Sequence, residues 1–412
     1  MEEIVGIIGV FILIIAIYIL TVKYPILKNI LWAAAFLRIS ASLIHFFLFT
    51  LPDGDLDAIK FEYHIWLFSK LSFVDYFNSF KTSDLALTFT WILSLVYRIF
   101  GRNPLIIQSV GVYVGLLSVI LLFKISYILS KDLLKSKQST WFFAVFPTVI
   151  LYNALILREV YVMYFLLIVI LNFVKWYQSK NIYFGFICLL FSLPLYYLHG
   201  SNIIITVLIF ILFFFSSFNF FINRLKLEKF NLFHSLVIIS TPLVTLYLFT
   251  VLPGVKIPYL GKFDDIFTFS RILFQTKVTN FGGSVYPDWL SPESPIDFFL
   301  LIIPRLGYLL FSPFIWDLRA INHLLGFVDG LLYLFIFYWI AKGILFEKHK
   351  QIITRILIIL IPLLVVYSWG VGNFGTALRH RVKFIPVFIA ISTIYVPKIT
   401  LTKKSEVPKP NE

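Results

Sequence analysis

The sequence predicts an all-α, polytopic integral membrane protein, and three observations predict it. Its 412 residues are 60% hydrophobic and only 14% charged, whereas a soluble domain carries about 25% charge. Apolar runs of about 17–25 residues, enough to cross a roughly 30 Å hydrocarbon layer as a helix, recur from end to end. Lipid offers no partner to backbone N–H and C=O groups, so such runs satisfy themselves internally as helices. The 47 Phe and 22 Tyr suit lipid contact and the two membrane interfaces.

Eleven spans follow in chain order, at 4–21, 30–51, 105–129, 141–157, 160–175, 182–198, 203–222, 233–252, 322–345, 352–370 and 382–397. The first opens Met1-Glu2-Glu3, without the basic start or small-residue cleavage site of a signal peptide, and is read as a retained helix. Two further apolar stretches, Leu85–Phe100 and Phe298–Ile315, are short or interrupted by proline. They are read as surface or re-entrant helical segments. Residues 1–397 thus form one transmembrane helical domain with two long outer segments, 52–104 and 253–321. Loops of that length without linker composition are usually functional. The polar stretch 398–412 reads as a disordered cytoplasmic tail.

The formal charge is +14. Its bases sit in short loops between apolar runs rather than in a soluble basic patch, so no nucleic-acid partner is expected. Lys23, Lys28, Lys131, Lys135, Lys137, Lys175, Lys180, Lys226, Lys342, Lys350 and Lys398 all fall on one side of the predicted topology. On the other side acids balance bases. Basic loops stay cytoplasmic, which places the N-terminus outside and the C-terminus inside a plasma membrane. Full spans at the two ambiguous stretches would export Lys131–Lys137 and Lys175–Lys180, which argues for surface helices there. The one cysteine, Cys188, allows no internal disulfide.

Three polar clusters gather on the outer face. Asp53, Asp55 and Asp57 alternate just beyond the second span, with Glu62 following. On an extended backbone the three aspartates point to one side, where crowded carboxylates can hold a divalent metal (Mg or Mn) or do acid/base work. The same run also makes a good turn, with Asp57 as a helix cap. Arg158 and Glu159 form the tip of a hairpin between two apolar runs. Either they are a charged turn, or Arg158 faces a phosphate and Glu159 orients it. Arg379, His380 and Arg381 open the last span. They either snorkel to the interface or bind a phosphate, and Arg381→Ala is then expected to weaken donor use more than folding. His199 and Arg305 are further outer candidates. Arg38, His45, Lys124 and Asp329 lie inside spans, where charge is costly. No Walker A loop, Rossmann glycine fingerprint, His-Glu-x-x-His or nucleophile elbow is present, so energy for any chemistry arrives with an activated substrate.

In their order the clusters resemble those of GT-C-type membrane glycosyltransferases, the polyprenyl-phosphate-sugar-dependent superfamily that includes bacterial polysaccharide-assembly enzymes. The resemblance rests on Asp53, Asp55, Asp57 and Glu62 after an early span, then Tyr97-Arg-Ile-Phe-Gly101. It continues with Phe146-Pro147 before Arg158-Glu159, and with Arg379-His-Arg-Val-Lys-Phe-Ile-Pro386 near the end. It covers roughly 51–200 and 370–390. It implies a GT-C-like fold in contact with membrane lipids, a sugar donor on a polyprenyl phosphate, a glycan or lipid acceptor, and inversion at the sugar carbon. A carboxylate of the first outer loop, Asp57 or Asp55, would be the general base. Arg158, Arg379 and Arg381 would bind the departing phosphate, and some members hold a divalent metal at the carboxylates. The chain departs from the family in its Asp-Leu-Asp spacing and its extra N-terminal span. Three other readings stay open: a polymerase or ligase of pyrophosphate-linked oligosaccharides, a lipid-linked sugar flippase, and an acyltransferase built on His45.

Overall fold

The computed structural model describes residues 2–82, 87–225, 256–257, 261–262, 283–321, 323–346 and 350–398. The expected span at 233–252 and the tail from residue 399 lie outside them. The described residues are overwhelmingly helical, with one short antiparallel strand pair, Lys256–Ile257 against Gly261–Lys262.

The helices are α1 (Glu2–Lys23), α2 (Lys28–Phe47), α3 (Leu56–Lys70), α4 (Phe73–Thr82), α5 (Thr88–Phe100), α6 (Pro104–Ser130), α7 (Leu133–Ala144) and α8 (Pro147–Ala154). They continue with α9 (Glu159–Ser179), α10 (Ile182–Leu198) and α11 (Ile203–Leu225). After a single turn at Asp297–Leu300 come α12 (Ile302–Phe311), α13 (His323–Phe346), α14 (Lys350–Trp369), α15 (Phe374–Arg381) and α16 (Ile385–Ser392). Seven helices among the described residues are long and apolar enough to cross a membrane: α1, α2, α6, α9, α11, α13 and α14.

Three of the remaining expected spans are shorter or broken, each for a visible reason. The 141–157 run divides at Pro147, which lacks an N–H and starts a new helix instead of continuing the old one. The 382–397 run opens with a turn at 382–384, after which α16 starts with Pro386 in its first turn, leaving only eight helical residues. The 182–198 run is one helix of 17 residues carrying Pro194 inside it.

Local chemistry sets the helix ends. Asn103 caps α6 by accepting from the Leu105 N–H at 2.8 Å, with Pro104 in the first turn. Asp132 caps α7 through the N–H groups of Leu134 and Lys135. Burial then orders the helices. α6 and α9 run through the centre, whereas α1 exposes Ile7, Phe11, Tyr18 and Ile19 along one face. The buried apolar side chains form one cluster reaching from Leu13 to Tyr395.

The two ends of the bundle differ in charge. At one end Lys398 pairs with Asp132, Lys135 donates to Ile394 O at 2.9 Å, and Tyr177 meets Gln351. This is the lysine-rich end. The segment α3–α5 begins and ends at the opposite end. Asp57 there meets Arg379, and Asn103 lies against Gly6 near the start of α1. Phe89 of α5 packs on Tyr161, and Phe80 of α4 on Tyr197. The two stretches expected to be surface helices pack at this end, against Tyr161 of α9 and Tyr197 of α10 and against the 368–373 loop, where Arg305 of α12 bonds Ser368 O and Val371 O.

Candidate functional site

The first acidic loop is shaped by the last turn of α2. His45 Nδ1 accepts the Leu51 N–H at 3.2 Å, and the Gly54 N–H closes a turn on Leu51 O at 2.9 Å. A Cβ at Gly54 would stand 2.4 Å from His45 Cε1, so only glycine lets the loop fold over the ring. That packing uses His45 as a template for the loop. Asp53 (φ 60°) and Leu56 (φ 30°) have left-handed backbone. Such strain is costly at a branched apolar residue and tends to cluster at functional sites.

The three aspartates do not share a side, because the backbone turns and then enters α3 instead of running extended. Asp53 accepts from Tyr152 Oη at 2.5 Å. Asp55 occupies the N-cap position of α3, but its side chain caps nothing. Asp57, in the first turn of α3, accepts from Arg379 Nη1. Among the described residues no three His, Cys, Asp or Glu converge as ligands. The expected Asp53, Asp55 and Asp57 metal set therefore does not fit a divalent ion in this arrangement.

The second and third clusters meet the first. Asn373 caps α15 by accepting from the Thr376 N–H at 2.7 Å, and the Phe374 N–H donates to Ser284 O. Helix α15 is thereby pinned with Arg379 facing the hairpin tip. Arg379 Nε donates to Glu159 Oε1 at 2.9 Å, so one guanidinium bridges Asp57 and Glu159. Lys383, one turn further on, approaches the same Glu159 oxygen at 3.6 Å, and its Nζ lies 2.7 Å from His380 Nδ1. The His199 ring lies 5.3 Å from that of His380 and 4.9 Å from that of Tyr367, whose hydroxyl donates to Asn202 Oδ1 at 3.0 Å. Arg158 donates to Leu198 O.

Several polar atoms here are buried yet have no hydrogen-bond partner among the described residues: Arg379 Nη2, Arg158 Nε, Glu159 Oε2 and His199 Nδ1. Most buried polar atoms are paired, so two unpartnered arginine donors, Arg379 Nη2 and Arg158 Nε, beside an unpartnered acceptor, Glu159 Oε2, set this cluster apart. The electrostatics agree. Burial works against charge on Arg379, but Glu159 and Asp57 outweigh it and raise its pKa above the ordinary arginine value. Burial first, then the charges of Lys383 and the neighbouring arginines, hold His199 and His380 well below the usual imidazole range, so both are neutral at pH 7. Burial raises the Asp53 carboxyl, while the Tyr152 hydrogen bond and the charge of Arg379 pull it down.

Three expected site residues are built into the scaffold instead. Arg381 is fully buried and spends its donors on Asp329, Leu310 O, Ser312 O and Gly326 O. It has none left for a phosphate. Arg305 donates to Ser368 O, Leu290 O and Val371 O, tying α12 to the loop after α14. Glu62 is held by Arg102 Nε and Nη2 and by Tyr97 Oη. The site instead contains Lys383, Tyr152, Tyr367 and Asn202, which sequence reasoning passed over. Lys383 was detectable, since it follows Arg379 by four positions and so shares its helical face. The three others carry no motif and reach the site only through packing.

Arg379 thus stands with one unspent donor beside a carboxylate, Asp57, whose side chain is 50% exposed. No protein-family model, curated protein or solved structure matches the chain.

Proposed function

We propose that the chain is a membrane glycosyltransferase, GT-C-like and inverting, that moves a sugar from a polyprenyl-phosphate donor to a glycan or lipid acceptor. Its site faces the side of a plasma membrane opposite the lysine-rich end, with the N-terminus outside and the C-terminus in the cytoplasm. The observation that carries this reading is the bridge Asp57–Arg379–Glu159, with the unspent donors Arg379 Nη2 and Arg158 Nε beside it.

Each group has a role in that reaction. Arg379 binds one oxygen of Asp57, Oδ2, and leaves Oδ1 to take the proton of an acceptor hydroxyl. The acceptor oxygen forms its bond to the sugar carbon as the bond to the phosphate oxygen breaks from the opposite face. Charge then grows on the departing polyprenyl phosphate, where Arg379 and Arg158 are already oriented. Glu159 is a positioning residue. Buried and facing Arg379 and Lys383, it fixes both cations without exposing itself to substrate. Asp55, with no fixed contact to Arg379, is the weaker candidate for the base.

The test is the glycan phenotype of cells carrying Asp57→Asn against wild type, read as surface polysaccharide on gels and lipid-linked sugars by mass spectrometry. Lost polymer with accumulated polyprenyl-linked precursor supports transfer. A single-sugar precursor marks a transferase, and a whole repeat on a pyrophosphate marks a polymerase or ligase. An unchanged profile with normal expression would overturn the enzyme reading and favour transport.

A further inference from the structure

At the lysine-rich end, far from the carboxylate cluster, a cavity of about 190 Å³ lies between the last turns of α9, the middle of α11 and the early turns of α14. About 10–15 Å³ of such space already admits one water, so this cavity has room for a larger guest. Its walls are of two kinds. Phe173, Trp176, Leu212 and Ile358 are apolar, whereas Lys180 and Arg355 are cations.

Both cations lean on one aromatic ring. Lys180 Nζ stands 4.3 Å and Arg355 Cζ 5.1 Å from the centre of the Tyr177 ring. The Tyr177 hydroxyl already donates to Gln351 Oε1 at 3.0 Å, which fixes the ring between α9 and α14. No lining residue is acidic. Two like charges gathered on one ring repel each other. The ring face attracts each of them but does not cancel the repulsion between them. Lys180 also gains from the negative end of α9. Arg355, in the second turn of α14 near that helix's positive end, has no such support. An anion between them removes the repulsion.

The walls decide which anion. A free phosphate needs no apolar surface, but here the cations crown a cleft of Leu212, Ile358 and aromatic side chains, and Ile358 is 53% exposed. The cations stand at the ends of helices long enough to cross a membrane, the level at which headgroup phosphates lie and basic pockets between helices take anionic lipids. We propose that this cleft binds one anionic phospholipid, its phosphodiester between Lys180 and Arg355 and its acyl chain against Leu212 and Ile358. The assignment stands apart from the proposed glycosyl transfer, since it shares no residue with that site.

The experiment is native mass spectrometry of the purified full chain in detergent, titrated with phosphatidylglycerol and with phosphatidylcholine of the same acyl chains. The expected result is retention of phosphatidylglycerol about tenfold tighter or more. The preference should vanish in the Lys180→Gln/Arg355→Gln double variant. It should also vanish in Leu212→Trp, which keeps both charges and fills the cleft. Equal retention of the two lipids by the wild type would overturn the proposal, and that comparison needs no variant to fold. So would full retention in Leu212→Trp with loss in the double variant, which would reduce the site to surface charge. Displacement of the lipid by millimolar inorganic phosphate, with phosphate then bound at the same stoichiometry, would overturn the lipid in favour of a free anion.

Discussion

Arg379 and Arg381 stand two residues apart on one short helix and belong to opposite regimes. Arg381 and Asp329 are each 0% exposed, and the guanidinium spends every donor on Asp329 and three carbonyls. Thr148 completes the carboxylate. Arg379 lies at the rim, bridges two carboxylates that belong to separate helices, and keeps Nη2 unspent. The difference teaches how to sort charged residues in a membrane protein. Depth alone does not mark function. A buried arginine saturated by carbonyls locks helices together, and one with spare donors beside an accessible carboxylate is equipped to receive a ligand.

The largest effect expected from that contrast is on stability. Arg381→Ala strands Asp329 in the core and should cost about 3–5 kcal/mol, visible as a lowered unfolding midpoint and poor yield of purified protein. Arg379→Ala should cost less, and equal losses from both would break the comparison. The next effect is on activity. Asp57→Asn should lower transfer by roughly 100-fold or more, the scale of a lost general base, while its half-exposed ion pair contributes only about 1 kcal/mol or less to stability. A mutant that loses activity only because it unfolds would remove Asp57 from the reaction.

Arg379→Lys sharpens the same contrast at smaller scale. The ammonium keeps the charge but cannot span Asp57 and Glu159 with a rigid fork. Losing the Nη2 donation to the departing phosphate, about 1.5–3 kcal/mol, should lower kcat/KM for the donor about tenfold or more, beside a smaller loss in melting temperature. The smallest effect concerns pH. Tyr152 stabilises the carboxylate form of Asp53 against the burial that raises its pKa. Asp53 acts on Arg379 through its charge, so Tyr152→Phe should move the acid limb of the pH–rate profile slightly to higher pH. For stability the sign is the reverse of a paired carboxylate: a raised carboxyl binds its proton more tightly when folded, so its contribution is present at low pH and fades as pH rises. An unmoved acid limb would show that Asp53 does not govern the rate.

Much of the architecture is readable from composition and hydropathy, because helix length against bilayer thickness is a strong constraint. The seven long helices fall where apolar runs predict them. The misread segments share one cause. Hydropathy does not register a proline, and Pro147 and Pro386 each start a new helix inside an apolar run. For the candidate site, residue type and outer placement are enough to nominate Asp57, Arg158, Glu159, His199, Arg379 and His380. Sequence cannot tell Arg379 from Arg381, since both are arginines on one turn. What separates them is the neighbour each meets, Asp57 from α3 or Asp329 from α13, and that is decided by packing across more than 50 intervening residues.

Helix α16 has all eight of its residues buried, and Thr393 just beyond it bonds Ser139 on α7. It is also the last of the described helices to leave the ribosome. The innermost piece of the bundle is therefore made last, and it fits against Ser126, Ser139 and Phe337 of helices made before it. Arg379 and Lys383 ride in with it. Asp57 and Glu159 are thus synthesised well before Arg379 and Lys383, the cations that complete them. The Asp57–Arg379–Glu159 bridge is therefore complete only when the C-terminal helices are in place.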